Sequence, residues 1–73
     1  MVDYRQRLRD LREDKELKQA DIAKILTTTQ SQYSAYEAGK NKMKARHIKT
    51  LCVFYNVTAD YLLGLIDEPR PLR

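Results

Sequence analysis

Residues Lys18 to Gly39 read K-Q-A-D-I-A-K-I-L-T-T-T-Q-S-Q-Y-S-A-Y-E-A-G, two short helical patterns either side of three threonines. The first pattern carries Ile22, Ala23 and Leu26 on one face, and the second carries Tyr33 and Tyr36 at i, i+3 spacing. The second is poor in charge: from Gln30 to Tyr36 no residue is ionisable at neutral pH. Surface helices of soluble proteins commonly carry Lys and Glu for solubility and i,i+4 pairing. One that displays amides and hydroxyls instead is suited to hydrogen-bonding a polar partner. Directly after it, Lys40 to Thr50 holds five basic residues and no acid. Together these features suggest base edges read by one element and phosphates held by the next.

Helical spacing continues on both sides of this stretch. Tyr4, Leu8 and Leu11 fall at i, i+4 and i+7 and predict a helix from Asp3 to Asp14. The core stretch gives helices from Gln19 to Leu26 and from Gln30 to Ala38, the latter ended by Gly39. Ile48, Leu51, Cys52 and Tyr55 predict a fourth from Ala45 to Tyr55, with Asn56 able to take a left-handed cap position. Thr58 is placed to cap a fifth, Ala59 to Leu63, with Asp60 in its first turn and Gly64 closing it. No β-alternation persists and no repeat is found. The expectation is an all-α fold, a compact bundle of five helices. Residues 1–66 form the domain, and 67–73, with Pro69 and Pro71, a flexible C-terminal tail.

Composition excludes several classes. Seventy-three residues allow one small domain, near the lower limit for a core without staples. One cysteine, Cys52, gives no internal disulfide and no cysteine-based zinc site, and it reads as a small core residue. The single His47 stands five residues before it, which is no metal-ligand spacing, and His47 is expected to be exposed on the fourth helix. The A-G-K at residues 38–40 lacks the glycine-rich loop and preceding strand of a phosphate-binding loop. No catalytic residue, metal, cofactor or small-molecule ligand is therefore expected. No apolar run approaches the roughly 20 residues that span a bilayer, and Met-Val-Asp-Tyr-Arg is not an apolar signal region. A cytoplasmic protein is expected. Net charge is +4, and the 40–50 segment alone exceeds that excess. Charge alone leaves two readings, a polyanion-binding patch and a solvated face.

R-L-R-D-L-R-E-D-K near the start, Gln19, D-I-A-K-I-L, Q-S-Q-Y-S-A-Y-E-A-G-K and N-V-T-A-D-Y-L-L-G occur in one order. That series resembles the helix-turn-helix DNA-binding domains of phage-repressor and bacterial xenobiotic-response-element type, over about Tyr4 to Gly64. The resemblance implies a lambda-repressor-like five-helix bundle whose third helix lies in the major groove. It implies that Gln30, Ser31, Gln32 and Ala35 meet bases. Gln19, Thr29, Ser34, Lys40, Lys42, Lys44 and Arg46 would contact phosphates, although Gln32 and Ser34 match positions that serve either role. Tyr33 and Tyr36 match inward-facing positions. Where the family usually has Gly, this chain has Thr27, at a turn that needs a left-handed residue. Lys18 replaces the usual Ser or Thr cap and Met43 a common proline, and residues 45 and 47 also depart from the pattern.

Two arguments stand apart from the resemblance. A glutamine amide offers a donor and an acceptor together, which suits the N6 and N7 edge of adenine, so Gln30 is the first choice for reading sequence. Lys44 and Arg46 lie at the start of the fourth helix, where the macrodipole disfavours cations by about 0.3–1 kcal/mol each. An anion docked there would relieve that frustration. The chain thus reads as a sequence-specific transcriptional regulator, a repressor on double-stranded DNA, working as a homodimer on an inverted-repeat operator. The rival reading is a protein-interaction or antitoxin-like module. It would use an apolar patch of Leu65 and Ile66 with Leu62 or Leu63.

Overall fold

Helix ends organise this small chain, seen in a computed structural model that describes residues 3–72. The elements are α1 (Tyr4–Asp14), α2 (Gln19–Ile25), α3 (Gln30–Ala38), α4 (Ala45–Tyr55) and α5 (Ala59–Leu62). Among the described residues there is no strand, and no helix is long and apolar enough to cross a membrane. Three helices start on a side chain that accepts one of the free N–H groups of the first turn. Asp3 accepts from the Arg5 N–H, Thr29 from Gln32 and Thr58 from Tyr61. The paired Arg5 guanidinium and N–H hold the Asp3 carboxyl down at about 2. By contrast, α2 and α4 start on Lys18 and Lys44 without a side-chain cap. At α2 the Asp21 carboxylate partly compensates by accepting from the Lys18 N–H at 2.8 Å.

All five helices end in one way. After α2, the Thr28 N–H donates to the Ala23 carbonyl and the Thr27 N–H to Lys24. These are the 6→1 and 5→2 bonds of a Schellman motif, which needs a left-handed residue just past the helix. That residue is Glu16 after α1, Thr27 after α2, Gly39 after α3, Asn56 after α4 and Gly64 after α5. The left-handed turn at Thr27 is therefore retained despite the β-branched side chain. Gly39 is fixed twice over: its φ is 76°, and a Cβ there would overlap the Arg5 side chain.

Tight ends turn the chain sharply, so the apolar faces meet at one centre. Leu8, Ile22, Tyr33, Tyr36, Leu51 and Leu62 are fully buried there, one or more from each helix. Burying each such side chain is worth about 1.5–3 kcal/mol. Tyr33 and Tyr36 meet edge to face at 6.4 Å and fasten α3 to the bundle, as their spacing predicts. Cys52 is buried as expected. The expectation for His47 is overturned: it is 3 % exposed. At i−4 from Leu51, it lies on the inward face of α4 and follows that helix into the core. Arg7 is also buried, with its guanidinium 3.8 Å over the Tyr61 ring. It donates to the carbonyls of Tyr61 and Ile66. Beyond α5, the Thr58 N–H donates to the Arg70 carbonyl and the Leu72 N–H to Asn56 Oδ1.

Candidate nucleic-acid interface

The threonine turn sets α3 so that its N-terminal half faces outward. With Tyr33, Tyr36 and Glu37 facing inward and about 100° between residues, Ser31 and Ala35 centre the opposite face, flanked by Gln32 and Ser34, while Gln30 stands at the first position of the helix. Gln30 and Ser31 are exposed, while Gln32, Ser34 and Ala35 are half-buried. Thr29 Oγ1 accepts the Gln32 N–H at 3.1 Å, so its hydroxyl proton stays free to donate outward. The face offers amide and hydroxyl groups, one methyl and no charge.

Lys40, Lys42, Lys44 and Arg46 are exposed and follow in the loop and first turn of α4. Among the described residues, no carboxylate lies within ion-pair distance of any of them. The first turn of α4 contains no acid. Four cations without acidic partners thus gather at an uncapped helix start, where backbone N–H groups also point outward. His47 joins this end of α4 to α3: its Nδ1 is 2.8 Å from the Tyr36 hydroxyl. That hydroxyl in turn accepts from Gln32 Nε2 at 3.3 Å. Burial, with help from Arg46 and Lys44, pushes the His47 pKa below its ordinary 6.5, so the ring is neutral at neutral pH.

The inner side of α3 is held by a buried ion pair whose two members stand far apart in sequence. Glu37 accepts from Arg12 Nε at 2.8 Å and Arg12 Nη2 at 3.0 Å. It accepts from Gln19 Nε2 at 3.1 Å as well. Burial acts to raise the Glu37 pKa, but its hydrogen bonds, that from Arg12 largest, outweigh it and leave the pKa below the usual 4.5. Gln19 therefore holds α2 to α3 with one N–H, and its second N–H remains for an outside acceptor. One weak signal for Glu37 existed: it is the one acid of α3, and it sits in the last turn, where the macrodipole disfavours an acid.

The candidate base-facing residues thus share one helix, with the cations next in the chain. Gln19 stands on a different helix and is tied to the far end of α3. Of the apolar patch expected near α5, Leu62 is fully buried, Leu63 and Ile66 are half-buried and Leu65 is exposed.

Comparison with known proteins places the chain in a family. A family described as "Helix-turn-helix domain" matches residues 6–68. An uncharacterized HTH-type transcriptional regulator, YobD, of Bacillus subtilis (strain 168) is 38 % identical over 68 residues. The match covers 93 % of this chain and 61 % of that relative, so the chain spans about three-fifths of its length. No solved structure gives a significant match.

Proposed function

The chain belongs to the helix-turn-helix domain family, and from that premise we propose that it is a transcriptional regulator that binds specific double-stranded DNA sequences. The observation that carries this reading is the uncharged polar face of α3 beside four cations without acidic partners. In this reading α3 enters the major groove, and Gln30, Ser31, Gln32 and Ala35 meet base edges. Gln19, Thr29, Ser34, Lys40, Lys42, Lys44 and Arg46 hold phosphates and fix the register. The role is binding rather than catalysis, within the cytoplasm, and repression follows if the bound site overlaps a promoter.

In this reading two copies act together on DNA. Each chain offers one α3, and successive major grooves on one duplex face lie about 34 Å apart. Two copies related by the two-fold axis of an inverted repeat would place an α3 in each. Exposed Leu65, at 56 %, is a candidate for their contact.

Selection of binders from a random duplex pool at near-physiological salt tests the proposal. An enriched inverted repeat is expected, with affinity falling as salt rises by a log–log slope of about −0.9 per phosphate held. No enrichment, together with salt-insensitive capture of protein partners, would replace it with the interaction-module reading.

A further inference from the structure

The hydrogen-bond chain that runs inward from α3 has a direction, and the direction has a consequence at the DNA surface. Gln32 Nε2 donates to the Tyr36 oxygen at 3.3 Å, and that oxygen lies 2.8 Å from His47 Nδ1. A phenol has one proton. With its oxygen accepting from Gln32, that proton goes to Nδ1, which receives it only when the ring is neutral and protonated on Nε2. A ring protonated on Nδ1 would reverse the chain. Tyr36 would then accept from His47 and donate to Gln32, which must turn its amide half a revolution to offer Oε1.

Resting on the DNA-binding reading above, we propose that His47 is a positioning residue which, through Tyr36, sets the face that the Gln32 amide turns to the base and so which base Gln32 accepts. In the observed direction Gln32 keeps one N–H and its carbonyl free, the pair that matches N7 and N6–H of adenine. In the reversed direction its carbonyl is engaged and its two N–H groups face outward, matching O6 and N7 of guanine. Tyr36 from α3 faces the ring, and Lys44 and Arg46 approach from its own helix. Among the described residues His47 has no carboxylate partner to favour the imidazolium. Both cations oppose a second proton on the ring and so disfavour the imidazolium, which would reverse the chain. Between the two neutral tautomers, the Gln32 N–H donated to the Tyr36 oxygen selects the adenine-matching direction. The buried pair thereby supplies specificity from a place that DNA does not reach.

Parallel pool selections at pH 7.5 with the wild type, Gln32→Ala and Tyr36→Phe test this. Gln32→Ala identifies the base pair that Gln32 reads, as the position whose preference relaxes. Tyr36→Phe is expected to relax the same base pair, with much of the about 5- to 150-fold discrimination of a bidentate pairing removed. Its other positions and its salt slope should match the wild type. An enriched wild-type motif left unchanged by Tyr36→Phe overturns the His47 role alone. No wild-type enrichment overturns the DNA-binding reading and this proposal with it. Nitrogen NMR of His47 in the wild type needs no variant to fold: a ring protonated on Nε2 with a bare Nδ1 is expected at pH 7.5. A proton on Nδ1 overturns the assigned direction.

Discussion

Thr27 holds a backbone conformation that its side chain opposes. Its φ is 56°, where a Cβ crowds the following carbonyl, and β-branching adds to the crowding. Glu16 and Asn56 occupy the same region, but Asn tolerates it far better and Glu is not branched. The cost at Thr27 is on the order of 1–2 kcal/mol. Nothing local offsets it, because the turn's hydrogen bonds use backbone groups alone. Thr27→Gly should therefore stabilise the fold, by about 1 kcal/mol once the greater freedom of glycine in the unfolded chain is subtracted. Urea unfolding measures it as a raised midpoint at unchanged slope. A lowered midpoint would mean that the threonine makes a favourable contact in the turn. Threonine itself gives no local sign of a left-handed turn, so the conformation at Thr27 is legible only through the resemblance. The caps at Gly39, Asn56 and Thr58 are local patterns, read from a few consecutive residues.

Between elements, that legibility fails for polar groups. Arg12 and Glu37 are 25 positions apart, and Arg7 meets the Tyr61 carbonyl across 54. A charged residue on a short helix reads as solvated until its partner is known, and no local pattern supplies the partner. His47 departs from its expected place although its spacing from Leu51 sets it on the inward face of α4: the partner that satisfies a polar ring there, Tyr36, stands on another helix. The Arg12–Glu37 pair carries much of the fixing of α3, because one carboxylate accepts from α1 and α2 together. Glu37→Ala should cost about 3–5 kcal/mol, largely by stranding the Arg12 guanidinium. In a domain of this size that loss is a large share of the total. Arg12→Met combined with Glu37→Leu should cost much less than the two single changes summed, as chemical denaturation of the four proteins would reveal. Additive losses would reduce the pair to independent packing. The start of α4 calls for the opposite response. Replacing Lys44 and Arg46 with Glu puts acids at the positive end of a helix, so stability should hold or rise by about 0.3–1 kcal/mol per site. DNA affinity should fall, and its salt slope become shallower by about 0.9 for each phosphate no longer neutralised. Unchanged binding would return those cations to the role of a solvated face.

Over the whole molecule, charge and burial are arranged so that acid acts on the fold and on its proposed interface through the same helices. The basic excess is confined to the 40–50 segment, and two buried groups whose pKa values are depressed are His47 within that segment and Glu37 on the helix before it. Both have folded-state pKa values below their ordinary ones, His47 from 6.5 and Glu37 from 4.5. For each, the unfolded chain takes up its proton first as pH falls. Stability from each group is therefore complete above its ordinary pKa and is lost as pH drops towards the folded value. The losses come in order: His47 begins below about 6.5, and Glu37 follows below about 4.5. Protonating His47 adds a cation near Lys44 and Arg46 and breaks the direction of the Gln32–Tyr36 chain. Protonating Glu37 releases Arg12 and Gln19. Urea midpoints at pH 7.5, 5.5 and 4.0 should fall at each step. In His47→Gln the first fall should shrink and the second remain, since Glu37 is untouched. Equal falls in wild type and His47→Gln between pH 7.5 and 5.5 would assign the early loss to another group. A profile flat to pH 4.0 would mean that neither buried partner is coupled to folding, against the short hydrogen bonds that both make.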